Sequence, residues 1–261
     1  MRVALGLSYR GCAYQGWQSQ PGGRTVQDAL EQALHRFVGS PLRVACAGRT
    51  DAGVHALQQV VHLDSPVLRA PFSWVRGVNA FLPADVVVRW AREVDDAFHA
   101  QKSAHARRYR YVLVQSAVRP ALLHGLVGWT HLGLDADAMR AAAAELLGEH
   151  DFSSMRASAC QAPSPVKTMH AIDILRDGDT WTFDFHANAF LHHMVRNIMG
   201  CLLAVGGGAR DAAWLRAVLR ARDRRLAAPT FMPDGLYFVG PCYGGQWGLP
   251  EPLCGHPVLR A

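Results

Sequence analysis

The strongest constraint in this sequence is an order of hydrophobic patterns that occurs twice. Residues 3–9 alternate apolar and small or polar positions and read as a strand. Thr25 then precedes an apolar stripe of Val26, Ala29, Leu30, Ala33, Leu34 and Phe37, the spacing of one helical face. Thr25 with Asp28 three residues on is close to a capping box, which marks the helix start. Residues 42–45 and 57–63 read as strands, Pro71 opens a short helix ending near Asn79, and residues 86–94 form another strand. The first hundred residues therefore run β-α-β-β-α-β.

The remainder repeats the theme. Residues 106–115 are a strand rich in Tyr and Val, and Asp135 caps a helix over 136–147 that is dense in Ala and Leu. Residues 169–176 and 180–187 make a hairpin around Asp177-Gly178. A helix over 192–205 ends at Gly206-Gly207-Gly208, and a further helix over 211–222 precedes a strand at 235–239. Two such passes predict an α+β fold of duplicated β-α-β-β-α-β (ferredoxin-like) units, a mixed and mostly antiparallel sheet with a central cleft. The expected subdomains are 1–100 and 101–261, with a linker near 97–104.

Half of the residues are hydrophobic, so a sizeable core can be buried and disorder of the whole chain is excluded. The formal charge of +6 suits a polyanionic partner, although a mild basic excess is not specific to one. None of the six cysteines (Cys12, Cys46, Cys160, Cys201, Cys242, Cys254) has CxxC or zinc-finger spacing, so reduced thiols, several of them buried, are expected. There is no sign of a secretory leader, and the longest apolar run, near 198–205, is too short to span a bilayer. A soluble, cytoplasmic protein is expected.

Three windows carry chemistry. The first, Ala47-Gly48-Arg49-Thr50-Asp51-Ala52-Gly53-Val54-His55, is a tight polar loop between strands whose glycines allow close approach of a ligand. It reads either as a site or as an ordinary turn closed by an Asx-type bond from Asp51. In the second, Arg107-Arg108-Tyr109-Arg110-Tyr111, strand alternation puts Arg108 and Arg110 on one face and both tyrosines on the other. Such interleaving suits base stacking with phosphate contacts, or equally a sheet-edge strand with solvated arginines. The third is Asn188 through Gly200. His192 and His193, as neighbours on a helix, would not face the same way, which argues against a two-histidine metal site. Arg196 lies in a strongly apolar helix and needs either a carboxylate partner or a route for its head to solvent.

In this order the three windows resemble the signatures of the TruA-type family of tRNA pseudouridine synthases. Tyr14-Gln15-Gly16-Trp17-Gln18, Thr25-Val26-Gln27, Asp151-Phe152-Ser153-Ser154 and Gly235-Leu236-Tyr237 extend the resemblance from about Leu5 to Tyr243. It implies that uridine is isomerised to pseudouridine at positions 38, 39 and 40 of the tRNA anticodon stem-loop. Asp51 matches the essential aspartate, Arg196 its partner arginine, and Tyr109 the tyrosine that lies against the target uracil. Arg49 matches the arginine thought to hold the flipped nucleotide, while His55 is expected to be structural. Basic residues outside the cleft, including Arg108, Arg110 and the cluster Arg220, Arg222, Arg224 and Arg225, would contact RNA. The last four read equally as a solvated helix end.

The resemblance further implies tRNA as partner, a homodimer, and no cofactor or metal. One departure is Tyr9-Arg10-Gly11, where the family usually has an acidic residue before the glycine. As chemistry, the C1′–N1 bond breaks and the uracil rejoins through C5. Asp51 would act either as nucleophile or as the base that takes a C2′ proton.

Overall fold

A computed structural model describes residues 1–252 of the chain. Its elements are β1 (Arg2–Tyr9), α1 (Val26–Val38), β2 (Ala45–Cys46), β3 (His55–Asp64), α2 (Pro71–Asn79), β4 (Val86–Val94), β5 (Ala104–Gln115) and β6 (Gly128–Thr130). They continue with α3 (Ala136–Ala144), β7 (Gly148–Asp151), β8 (Val166–Asp177), β9 (Thr180–Ala187), α4 (Met194–Gly206), α5 (Ala212–Ala221) and β10 (Leu236–Tyr243). The fold is α+β. Two compact units divide the described residues, one of Met1–His105 with 237–252, the other of Ala106–Leu236. The division at 100/101 drawn from the sequence makes no provision for this return of the last strand to the first unit.

In the first unit β1 lies between β4 and β3, antiparallel to both. The two-residue β2 pairs antiparallel with β3 at Val61 and His62. The resulting order, β4-β1-β3-β2, is that of a split βαβ unit. β10 then takes the lower part of the same β3 edge in parallel, with Tyr237 opposite His55 and Phe238 opposite Ala56. Thr25 caps α1 as its sequence predicts, accepting from Asp28 N–H while its hydroxyl bonds the Asp28 carboxylate. Gly39 closes the helix in the left-handed region, where a side chain would be strained. Val26, Leu30, Ala33 and Leu34 form its buried face.

In the second unit β9 lies between β5 and β8, antiparallel to both, with β7 beyond β8 and β6 parallel to β5. The order β5-α3-β8-β9-α4, with β5 beside β9, repeats the arrangement of β1, β2 and β3. α3 packs on α4, α5 and β8. The hairpin turn falls at Asp177 to Thr180 as expected, although β8 starts earlier than the pattern showed. α3 ends at Ala144 rather than near 147, because Leu146 and Leu147 bond back three residues and tighten the last turn. Cys201 and Cys242 are buried, but Cys12 is exposed and Cys46 and Cys160 are half-buried. Cys254 lies outside the described residues. Among them no helix is long and apolar enough to cross a membrane.

Candidate active site

The loop between β2 and β3 is braced from several directions inside the first unit. Asp51 is half-buried, while Thr50, Val54 and His55 beside it are buried. Val54 N–H donates to the backbone carbonyl of Asp51 at 3.2 Å, and Gly53 takes φ 82°. The turn is thus closed by the backbone of Asp51 and leaves its carboxylate out of that bond. Gln59 Nε2 donates to Gly48 O at 2.5 Å, and the Tyr9 hydroxyl meets Thr50 Oγ1 at 2.8 Å. Tyr9 is deeply buried, which holds its phenol protonated well above the ordinary value and makes it a fixed structural partner.

Two glycines of the first loop seat the Asp51 turn. Gly16 has φ 91°, and a Cβ there would fall 2.7 Å from Thr50 O and 3.1 Å from the Asp51 carbonyl carbon. Next to it, Trp17 N–H donates to Thr50 O at 3.0 Å. Gly11 leaves no room for a side chain because Val54 O occupies that space, and its N–H donates to His55 Nδ1 at 3.1 Å. The ring of His55 stacks on Tyr237 of β10 with centroids 4.6 Å apart. His55 is therefore a buried brace between two backbone segments. Arg49 is exposed and lies near Cys46, whose thiol desolvation pushes up to about 12, an effect the positive charge of Arg49 opposes. Arg10 is exposed beside Cys12, with Asp85 near enough to favour its charge. Asp85 in turn accepts from the Tyr14 hydroxyl at 2.6 Å.

The second unit holds the other predicted residues. Tyr111 is wholly buried and donates from its hydroxyl to Met232 O at 3.0 Å, whereas Tyr109, two residues earlier, is half-buried with its ring edge-on to Phe190 at 4.9 Å. Arg110 forms a fork to Asp184 directly across β9, through Nε at 2.6 Å and a terminal nitrogen at 2.7 Å. Arg107 donates to Asn188 O at 3.0 Å, and Arg108 is half-buried on the same strand.

Arg196 is locked to the segment after α5. Its Nε donates to Phe231 O at 2.9 Å, while Phe231 N–H donates to Arg196 O at 3.1 Å. Phe231 also lies 5.6 Å from the Tyr111 ring, so β5 and α4 share one support. Asn197, fully buried, was not singled out in the sequence. Its Nδ2 donates to Met155 O at 2.8 Å and its Oδ1 accepts from Arg224 at 3.0 Å and Thr230 at 2.7 Å. Arg224 of the expected RNA-contact cluster thus has an internal task. Arg222 pairs with Asp151 at 3.3 Å and Arg225 with Asp223 at 2.7 Å.

One sequence expectation fails here. Helix α4 begins at Met194, not His192, and His193 is left-handed with φ 62°. The two histidines precede the helix in a turn, and their rings lie 4.0 Å apart. Helical divergence of neighbouring residues therefore does not apply to them, and it cannot be used against a two-histidine site. Left-handed backbone at a non-glycine residue is strained and is retained where surrounding contacts enforce it. Here Met194 N–H bonds Leu191 O at 3.0 Å and Ala157 N–H bonds His192 O at 3.0 Å.

Known proteins share this sequence extensively. Residues 7–101 and 142–244 match a family model described as tRNA pseudouridine synthase. Arg49 and Asp51 fall in the first matched segment and Arg196 in the second, while Arg108, Tyr109 and Arg110 fall between them. A protein called tRNA pseudouridine synthase A from Methylibium petroleiphilum is 64% identical over 251 residues, covering 96% of this chain and 96% of its own. One of the same description from Paracidovorax citrulli is 61% identical over 269 residues, covering 96% of this chain and 97% of its own.

Proposed function

The chain belongs to the tRNA pseudouridine synthase family, and on that footing we propose that it isomerises uridine to pseudouridine at positions 38, 39 and 40 of the tRNA anticodon stem-loop, with Asp51 as the essential carboxylate. The observation that carries the reading is sequence identity above 60% along nearly the whole chain to proteins described as tRNA pseudouridine synthase A. The braced Asp51 turn supports the choice of carboxylate, since a group that must meet one reacting bond gains from a fixed backbone.

In this reading the target uridine leaves its stack, at a cost of a few kcal/mol, and Asp51 acts at the sugar or the base. Tyr109 keeps the detached uracil in place while it turns from N1 to C5, and Arg49 holds the flipped nucleotide. Arg196 serves in this reading as the charge partner of Asp51, as the resemblance implies, and within its own unit its Nε donates to Phe231 O. Arg108 is the phosphate contact on β5. Arg110 is placed beside it with its charge matched by Asp184. The cytoplasm as location and a homodimer as the working form belong to the same proposal and rest on the resemblance.

Site-resolved pseudouridine mapping tests this directly, using purified protein and a tRNA transcript bearing uridines at 38, 39 and 40, without added metal or nucleotide. Product confined to those positions is expected. Product elsewhere would keep the reaction and discard the substrate assignment, and tight binding without product would leave an RNA-binding protein.

A further inference from the structure

One face of the first unit carries three arginines that the reaction does not use. Arg36 of α1 lies 4.4 Å from the Phe81 ring centroid, Arg69 lies 4.6 Å from that of Phe37, and Arg76 of α2 lies 5.8 Å from that of Phe72. All three arginines are exposed. Among the described residues none of them forms an ion pair, and the stretch from 65 to 84 contains no Asp or Glu at all. The ring beneath Arg69 is held by its neighbours. Phe37 meets Trp74 edge-on at 5.3 Å, and it occupies the space a side chain at Gly77 would need. A guanidinium that lies over a ring can still turn N–H groups towards an oxyanion. Between these arginines Leu68 is 83% exposed and Phe72 is 68% exposed.

Basic groups without local acids, interleaved with exposed rings, fit a polyanion whose bases or sugars can rest on an apolar surface. The location narrows the partner. β3 starts at His55, just after the Asp51 turn, and runs ten residues to Asp64, about 30 Å at the usual rise per residue. Leu68, Arg69 and Phe72 follow its far end in the chain, the end opposite to the one that carries the Asp51 turn.

We propose that the Arg36, Arg69 and Arg76 face binds the phosphate backbone of tRNA away from the anticodon loop, an inference that rests on tRNA being the substrate. The surface adds affinity without entering the chemistry.

The test compares wild type with the triple variant Arg36→Gln, Arg69→Gln and Arg76→Gln, with Arg→Lys at all three positions as a charge-preserving control. Binding of a full-length tRNA transcript and of the isolated anticodon stem-loop is measured across a salt series. The triple Gln variant should bind tRNA about tenfold more weakly near physiological salt and show a shallower salt slope, as loss of about three phosphate contacts requires. Its stem-loop affinity, its kcat at saturating tRNA and its thermal melt should match wild type, and the Lys variant should recover tRNA binding. Unchanged tRNA affinity in the Gln variant, or an equal loss for both RNAs, would overturn the proposal. So would a change in sedimentation on Phe72→Ala with tRNA binding intact, which would mark the face as a contact between copies of this chain. Absence of pseudouridine with wild type is a separate result that tells against the parent reading, because binding is scored without turnover.

Discussion

Gly16 shows how a backbone position can hold the turn that carries the proposed catalytic carboxylate. Its φ of 91° disfavours any side chain, and a methyl would press on Thr50 O at the back of the Asp51 turn. Gly16→Ala should therefore cost about 1–3 kcal/mol in a denaturant melt and move Asp51 enough to lower kcat by about 100-fold. Full activity in that variant would show that the brace is dispensable. For the carboxylate itself, Asp51→Asn should retain tRNA affinity and the wild-type melt while yielding no pseudouridine. A turnover rate near wild type would remove Asp51 from the proposal. The loop's composition pointed to this segment, but the two first-loop glycines that fit against it were legible only as a motif without a task. Their role depends on contacts between positions some 40 residues apart, which no local periodicity encodes.

At the level of elements, α4 and β3 each carry a polar group whose burial has a measurable cost. Asn197 joins α4 to Met155, Thr230 and Arg224, so Asn197→Ala leaves several buried partners unsatisfied. About 2–3 kcal/mol should be lost, read from the urea midpoint at constant m. On β3, His62 Nδ1 accepts from Ala100 N–H at 3.2 Å, which requires the neutral ring. Burial first, then the charges of His99 and Arg2, depress its pKa from 6.5 to about 4, with Asp64 opposing. The unfolded chain thus binds the extra proton between those values, so stability is fully present above about pH 6.5 and declines as the pH falls toward 4. His62→Gln should flatten the dependence of Tm on pH in that window. An unchanged profile would assign the slope elsewhere. Patterning located most helices and long strands within a few residues. It missed β6 and β7, which are three and four residues long, because so few positions hold no period.

For the whole molecule, the order in which the chain completes its units matters most. The first unit is finished only when Tyr237 and Phe238 pair with His55 and Ala56, after the entire second unit has been traversed. A fragment of residues 1–105 should therefore expose the β3 edge beside the Asp51 turn and self-associate. A fragment in which 237–252 is joined to 1–105 by a flexible linker should remain monomeric with a cooperative melt. Analytical ultracentrifugation and circular dichroism of the two fragments check this, and a monomeric, cooperatively melting 1–105 would show that β10 is not needed. The sequence by itself determined the α+β class, the repeated order of elements, the cap at Thr25 and the segments worth searching for chemistry. All of these follow from side-chain periodicity and local hydrogen bonding within a few residues. Only the tertiary structure decided that β10 returns to β3, that Gly11 and Gly16 brace the Asp51 turn, and that Arg224 serves Asn197. It also decided that His192 and His193 stand before α4 with adjoining rings. These are contacts between positions distant in sequence, or a backbone twist enforced by such contacts, and their energies arise only once the chain has packed.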